Sequence, residues 1–198
     1  AVSAFEVMNR LGVDLTVKNV ASMRDPLPGA DFLILMEFEA AHALGLRDAI
    51  ESALAAALEA GEIENALIAE NSSQARDFWA LREAMSAGHK PEGAQVSHDI
   101  SVPVSQTPAF LERALARVTA TCPGARIVAF GHMGDGNIHY TLIAPPGAEA
   151  GAFPREALTQ AVFETAAALG GSISAEHGIG IARKDDLTRF RDPESLAL

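Results

Sequence analysis

The chain has 198 residues, 48% hydrophobic and 21% charged, the composition of a folded protein with a sizeable core. Fifteen Lys and Arg against 26 Asp and Glu leave a net charge of −11 with no basic block, which argues against nucleic acid or an anionic membrane as partner. One cysteine, Cys122, allows no internal disulfide and fits a cytoplasmic location, and no apolar run reaches the ~20 residues of a membrane span.

In chain order, the opening AVSAFEVMNR already belongs to a folded element, and DFLILMEFEA (31–40) reads as a central strand. LRDAIESALAAALEAG (46–61) has helical periodicity and a stop at Gly61. IENALIAE (63–70) reads as another strand, and NSSQARDFWALREAM as a helix that Asn71, Ser72 or Ser73 can cap. VSHDISVPV alternates like a half-buried strand, Thr107 and Pro108 open a third helix, and ARIVAFGHMGDGNIHYTLIAP follows as strand, turn, strand. PREALTQAVFETAAALGG is a fourth helix leading into SISAEHGIG, and the closing TRFRDPESLAL enters a helical pattern and stops. Both ends read as cut from a longer protein. Two strand pairs lie too close for crossovers, so the fold class expected is α+β with a mostly antiparallel sheet.

The chemistry concentrates in GHMGDGNIHY (131–140) and SAEHGIGIARK (174–184). A two-residue Asp135-Gly136 hairpin turn would set His132 directly opposite His139, their Cβ atoms about 4.5–5.5 Å apart. Two such imidazoles can share a metal ion, with Asp135 and Asn137 as nearby acceptors that fix the ring tautomer. Glu176 from the second glycine-rich turn completes two histidines and a carboxylate, a set that leaves positions open for substrate. The plain alternative is a pair of turn histidines bonded to backbone. His177 would stand beside the metal, with a pKa suited to taking a proton, or simply face solvent. Arg82 shares a helical face with Phe78, Leu81 and Met85, and is either salt-bridged or aimed at a carboxylate ligand. His98 or Asp99 bonds locally or faces a pocket, whereas His42 and His89 read as surface residues.

SAFEVM, FWALREAM, HDISVPVS, GHMGDGNIHY and SAEHGIGIARK, five motifs in the family's order that span nearly the whole chain, resemble the C-terminal domain of FAD-linked oxidases of the vanillyl-alcohol-oxidase superfamily. The similar members oxidise 2-hydroxy acids such as D-lactate, glycolate or D-2-hydroxyglutarate. The resemblance implies a ferredoxin-like substrate domain, residues 1–150, with helices on one face of its sheet. A C-terminal helical segment, 151–198, carries the EHGIG turn, and the N-terminal FAD-binding domain and extreme C-terminus lie outside this chain. It implies further that His132, His139 and Glu176 bind a divalent metal, generally zinc, and that His177 is the base. Arg82 and Ser86 would bind the substrate carboxylate, and Asn137 would approach the flavin. Ser97 stands where some members carry a lysine, so one cationic contact to substrate is missing. The partners implied are a small 2-hydroxy acid, the FAD-binding domain of the same polypeptide and an electron acceptor downstream of the flavin. The fragment alone should not turn over. A non-catalytic cap with a structural metal, or a metal-dependent hydrolase, would use the same ligands.

Overall fold

The computed structural model describes residues 1–40 and 44–190, which form two compact units, 1–88 and 89–198. His42 and the last eight residues of the segment 151–198 lie outside the described residues.

In the first unit, β1 (Val2–Asn9) runs directly into α1 (Arg10–Asn19), because the Asn9 side chain caps the helix by accepting from the Gly12 N–H at 3.1 Å. β1 pairs antiparallel with β2 (Phe32–Phe38), matching Val7 to Ile34 and Met8 to Leu33. The central strand expected at 31–40 is instead an edge. β2 ladders with β1 alone among the described residues, and Phe32 and Ile34 stay about half exposed. α2 (Leu46–Glu59) stops before Gly61 as expected and buries none of its residues. The strand expected at 63–70 does not form. Those residues find no ladder partner and border a cavity of about 960 Å³ with residues 22–26. α3 (Ser72–Gly88) is capped by Asn71, whose Oδ1 accepts from the N–H groups of Ser73 and Gln74. Its inner face buries Leu81, Arg82 and Met85, and Thr16 of α1 donates from its hydroxyl to the Met85 sulfur at 3.4 Å.

In the second unit, β5 (Asn137–Ile143) lies between β4 (Arg126–His132) and β3 (Gln95–Ser101), antiparallel to both. β5 is buried at nearly every position, which explains its apolar run. α4 (Thr107–Thr121), begun by Pro108, buries Phe110, Ala114 and Val118. α5 (Arg155–Ala168) ends before Gly170 and packs along α4 and β3. α6 (Lys184–Phe190) follows a turn at 181–183. The architecture is α+β and every strand pairing within a unit is antiparallel, as the sequence implied.

His89 is not a surface residue. It is 7% exposed, and its Nδ1 lies 2.7 Å from Gln95 Oε1, because the turn at 90–92 folds it back against the start of β3. His98 is buried too, held between the Tyr140 carbonyl (3.0 Å from Nδ1) and the Thr159 hydroxyl (2.9 Å from Nε2). No described helix is long and apolar enough to cross a membrane.

Candidate functional site

The β4–β5 hairpin does not use the two-residue turn that Asp135-Gly136 suggested. Met133–Asp135 form one turn of 3-10 helix, and Gly136 follows in the left-handed region at φ 68°, so residues 133–136 make a four-residue loop. Gly136 is required there twice over. Its φ disfavours any side chain, and a Cβ would lie 1.9 Å from the Val102 carbonyl oxygen. The longer loop moves the register by two, so that Phe130, rather than His132, faces His139. A shift of two keeps every side chain on its face, because strand side chains alternate with period two. His132 therefore remains beside His139, diagonally displaced, with ring centroids 5.9 Å apart.

On its other side His139 faces Asp99 of β3. Residues 172–177 run along that same strand. Ser172 and Ser101 exchange backbone hydrogen bonds at 2.8 and 3.0 Å, and the Ala175 N–H donates to the Asp99 carbonyl at 2.9 Å. Gly171 allows this approach, since a Cβ there would meet the Ser101 oxygen at 2.1 Å. The chain then turns, and both the Glu176 and His177 N–H groups donate to Asp99 Oδ2 at 2.8 Å. This capture brings the second glycine-rich segment onto the face holding the two imidazoles.

Glu176 Oε1 lies 3.4 Å from His132 Nε2 and 3.6 Å from His139 Nε2. Asn137 Nδ2 donates to the same oxygen. Asp99 Oδ1 stands 3.5 Å from His139 Nδ1, and Oδ2 stands 3.5 Å from His177 Nδ1. The His139 and His177 rings stack at 5.6 Å with 20° between planes. Burial pushes the Asp99 carboxyl up, but the His177 and Glu176 N–H groups, then the charges of His177 and His139, outweigh it and leave its pKa below 3.8.

Two sets of donors are close enough to hold an ion: His132, His139 and Glu176, and Asp99, His139 and His177, each set within 4.8 Å. They share His139 through opposite ring nitrogens. Two imidazole nitrogens and a carboxylate oxygen fit a zinc-type site with open positions, and partial exposure of all three side chains keeps those positions reachable. The chemistry of the first donor set thus suits the ion the sequence implied.

Of the residues singled out in the sequence, His132, His139, Glu176, His177 and Asn137 meet in the second unit. Arg82 and Ser86 belong to the first, where Arg82 is bonded to Glu6 and Ser86 is exposed. Asp135 sits exposed in the turn and contributes no acceptor to either ring; Asp99, from another strand, faces His139 Nδ1 instead. Ser97 takes a hydrogen bond from the Thr141 hydroxyl at 2.9 Å. The signal for Asp99 was weak: one acidic residue of an alternating strand, on the face opposite the buried His98 and Ile100.

The sequence profile of the family described as "FAD linked oxidases, C-terminal domain" matches residues 1–198. The chain belongs to that family. This FAD-linked oxidase domain is 30% identical over 197 residues to a protein named mitochondrial D-2-hydroxyglutarate dehydrogenase from Arabidopsis thaliana, covering 99% of this chain and 34% of that protein. It is 35% identical over 170 residues to D-2-hydroxyglutarate dehydrogenase of Stutzerimonas stutzeri (strain A1501), covering 83% of this chain and 36% of that one. A mitochondrial enzyme of the same name from Rattus norvegicus is 28% identical over 200 residues, covering 99% of this chain and 36% of its own length. The chain thus spans about a third of the length of the curated relatives it matches.

Proposed function

We propose that this domain is the substrate- and metal-binding portion of an FAD-dependent dehydrogenase that oxidises a D-2-hydroxy acid to a 2-oxo acid. The observation that carries the reading is that His132 Nε2 and His139 Nε2 both lie within 3.6 Å of Glu176 Oε1, which comes from a segment nearly 40 residues further along the chain. Similarity to proteins named D-2-hydroxyglutarate dehydrogenase supports the substrate class.

His132, His139 and Glu176 would hold a divalent ion, zinc by their chemistry, which polarises the substrate hydroxyl when bound. His177 takes the hydroxyl proton. Its Nδ1 side lies at Asp99, so Nε2 is the nitrogen that accepts. Asn137 positions Glu176 by donating to it, while its buried Oδ1, unbonded among the described residues, is an acceptor suited to a donor on the flavin ring. FAD, when bound, would supply the acceptor for the C2 hydride. Three partly exposed ligands favour this reading over a closed structural metal site, which takes four protein ligands.

Flavin reduction in the full-length enzyme tests the reading, with D-2-hydroxyglutarate and D-lactate as substrates and metal content measured alongside. His132→Ala and Glu176→Ala should each lose both bound metal and flavin reduction. Retention of both in either variant overturns the assignment.

A further inference from the structure

Asp99 touches three of the residues that build the site, His139, Glu176 and His177. Its side chain is nearly buried, at 9% exposure, and its three oxygens face different neighbours. The backbone carbonyl accepts from Ala175 at 2.9 Å. Oδ2 accepts from the N–H groups of both Glu176 and His177 at 2.8 Å. Oδ1 makes no hydrogen bond, is sealed from solvent, and points at His139 Nδ1 from 3.5 Å. A buried carboxylate oxygen without a donor is costly, so it is expected to have a function that offsets the cost.

We propose that Asp99 is the positioning residue of the site: Oδ1 fixes His139 as the tautomer protonated on Nδ1, and Oδ2 holds the Glu176–His177 turn in place. The first task leaves the lone pair of His139 on Nε2, the nitrogen 3.6 Å from Glu176. A carboxylate behind a ligating histidine orients the ring and raises its basicity. The second task sets Glu176 and His177 together, because consecutive N–H groups are gathered on one oxygen. His177 Nδ1, 3.5 Å from that oxygen, is directed to the same carboxylate, so both rings present Nε2 as acceptor. Only a carboxylate performs both tasks. An asparagine offers one acceptor oxygen, and its amide would set a donor against either Nδ1–H or the two backbone N–H groups. Sheet register makes the arrangement possible, since Asp99 is paired directly with His139 on β5.

This assignment rests on the metal reading above for its consequence, but its tautomer component stands apart from any ion. The experiment uses the full-length enzyme with ¹⁵N-labelled histidine, stripped of metal by chelation, above the ordinary histidine pKa of ~6.5. In the wild type, His139 should show a protonated Nδ1 and an unprotonated Nε2; the opposite tautomer overturns the proposal without any variant. In Asp99→Asn the Nε2–H tautomer of His139 should become populated. Zinc affinity, measured by competition with a chromophoric chelator, should weaken ~10–100-fold. Unchanged tautomer and unchanged affinity in the variant overturn the proposal. Loss of zinc as complete as in His132→Ala also overturns it, making Asp99 a ligand. Should the wild type bind no ion while His139 still follows residue 99, the metal reading fails and the positioning role stands.

Discussion

Arg82 Nε donates to Glu6 Oε2 at 2.8 Å, with the two side chains only 9% and 5% exposed. The guanidinium on the apolar stripe of α3 is therefore salt-bridged, the first of the two fates its sequence context allowed. A buried pair brings heavy desolvation, and breaking it costs more than the pair gains over apolar replacements. Glu6→Ala should therefore lower stability by about 3–5 kcal/mol in urea unfolding. The double replacement Glu6→Leu with Arg82→Met should cost clearly less than that single change. Equal losses in the two proteins would mean that packing, not charge, dominates the site.

Gly136 carries the second prediction. Its left-handed φ alone would cost a side chain roughly 1–2 kcal/mol. The 1.9 Å approach of a Cβ to the Val102 oxygen adds a backbone clash, which also strains the 3.0 Å bond from the Val102 N–H to the Gly136 carbonyl. Gly136→Ala should therefore lose more than about 2 kcal/mol, read as a lowered thermal midpoint. Because the loop joins the strands bearing His132 and His139, metal affinity should fall as well. A variant with wild-type midpoint and affinity would contradict the turn described.

How legible all this was in the sequence depends on which force sets each element. Helix periodicity, with glycine stops for α2 and α5 and the Thr107-Pro108 start for α4, defined these helices, because those signals are local. The segment 63–70 has a strand's composition but lacks a partner edge, which no local signal reveals. α1 was missed, since a strand runs into it with only Asn9 marking the boundary. The histidine pair survived a wrong turn type because the register error was even; an error of one would have put the rings on opposite faces. Asp99 could not be found from spacing, since its role comes from pairing with β5 on one flank and with 172–177 on the other.

His98 sets a pH dependence. Burial lowers its pKa from 6.5 to about 4, the Tyr140 carbonyl opposes the shift, and the charge of Arg183 adds to it. The folded protein thus keeps the imidazole neutral where the unfolded chain takes up a proton. Stability from this group is intact above pH 6.5 and is lost as pH falls from 6.5 to about 4. The full loss is about 3 kcal/mol, from a shift worth ~1.4 kcal/mol per pH unit. Urea midpoints should drop across that window in the wild type, and His98→Gln should flatten the dependence. A His98 ring signal titrating near its ordinary value in NMR would refute the buried neutral state.

Asn137 offers a separation of roles by two variants. Its Nδ2 donates to Glu176 Oε1, while its Oδ1 is buried and unbonded among the described residues. Asn137→Asp keeps the shape but turns the donor into an acceptor, setting one carboxylate against another when no cation lies between them. The metal-free protein should then be less stable than wild type. Added zinc, by neutralising the pair, should raise the thermal midpoint by more than it does in wild type, provided the ion saturates both proteins. Asn137→Ala removes both functions of the amide, so zinc affinity should weaken about tenfold with little change in metal-free stability. Absorbance of the oxidised flavin in the full-length enzyme discriminates further. A spectral shift in both variants ties Oδ1 to the flavin, and an unshifted spectrum confines Asn137 to holding Glu176. Equal zinc-induced midpoint shifts in wild type and Asn137→Asp would dissociate Asn137 from the metal ligands altogether.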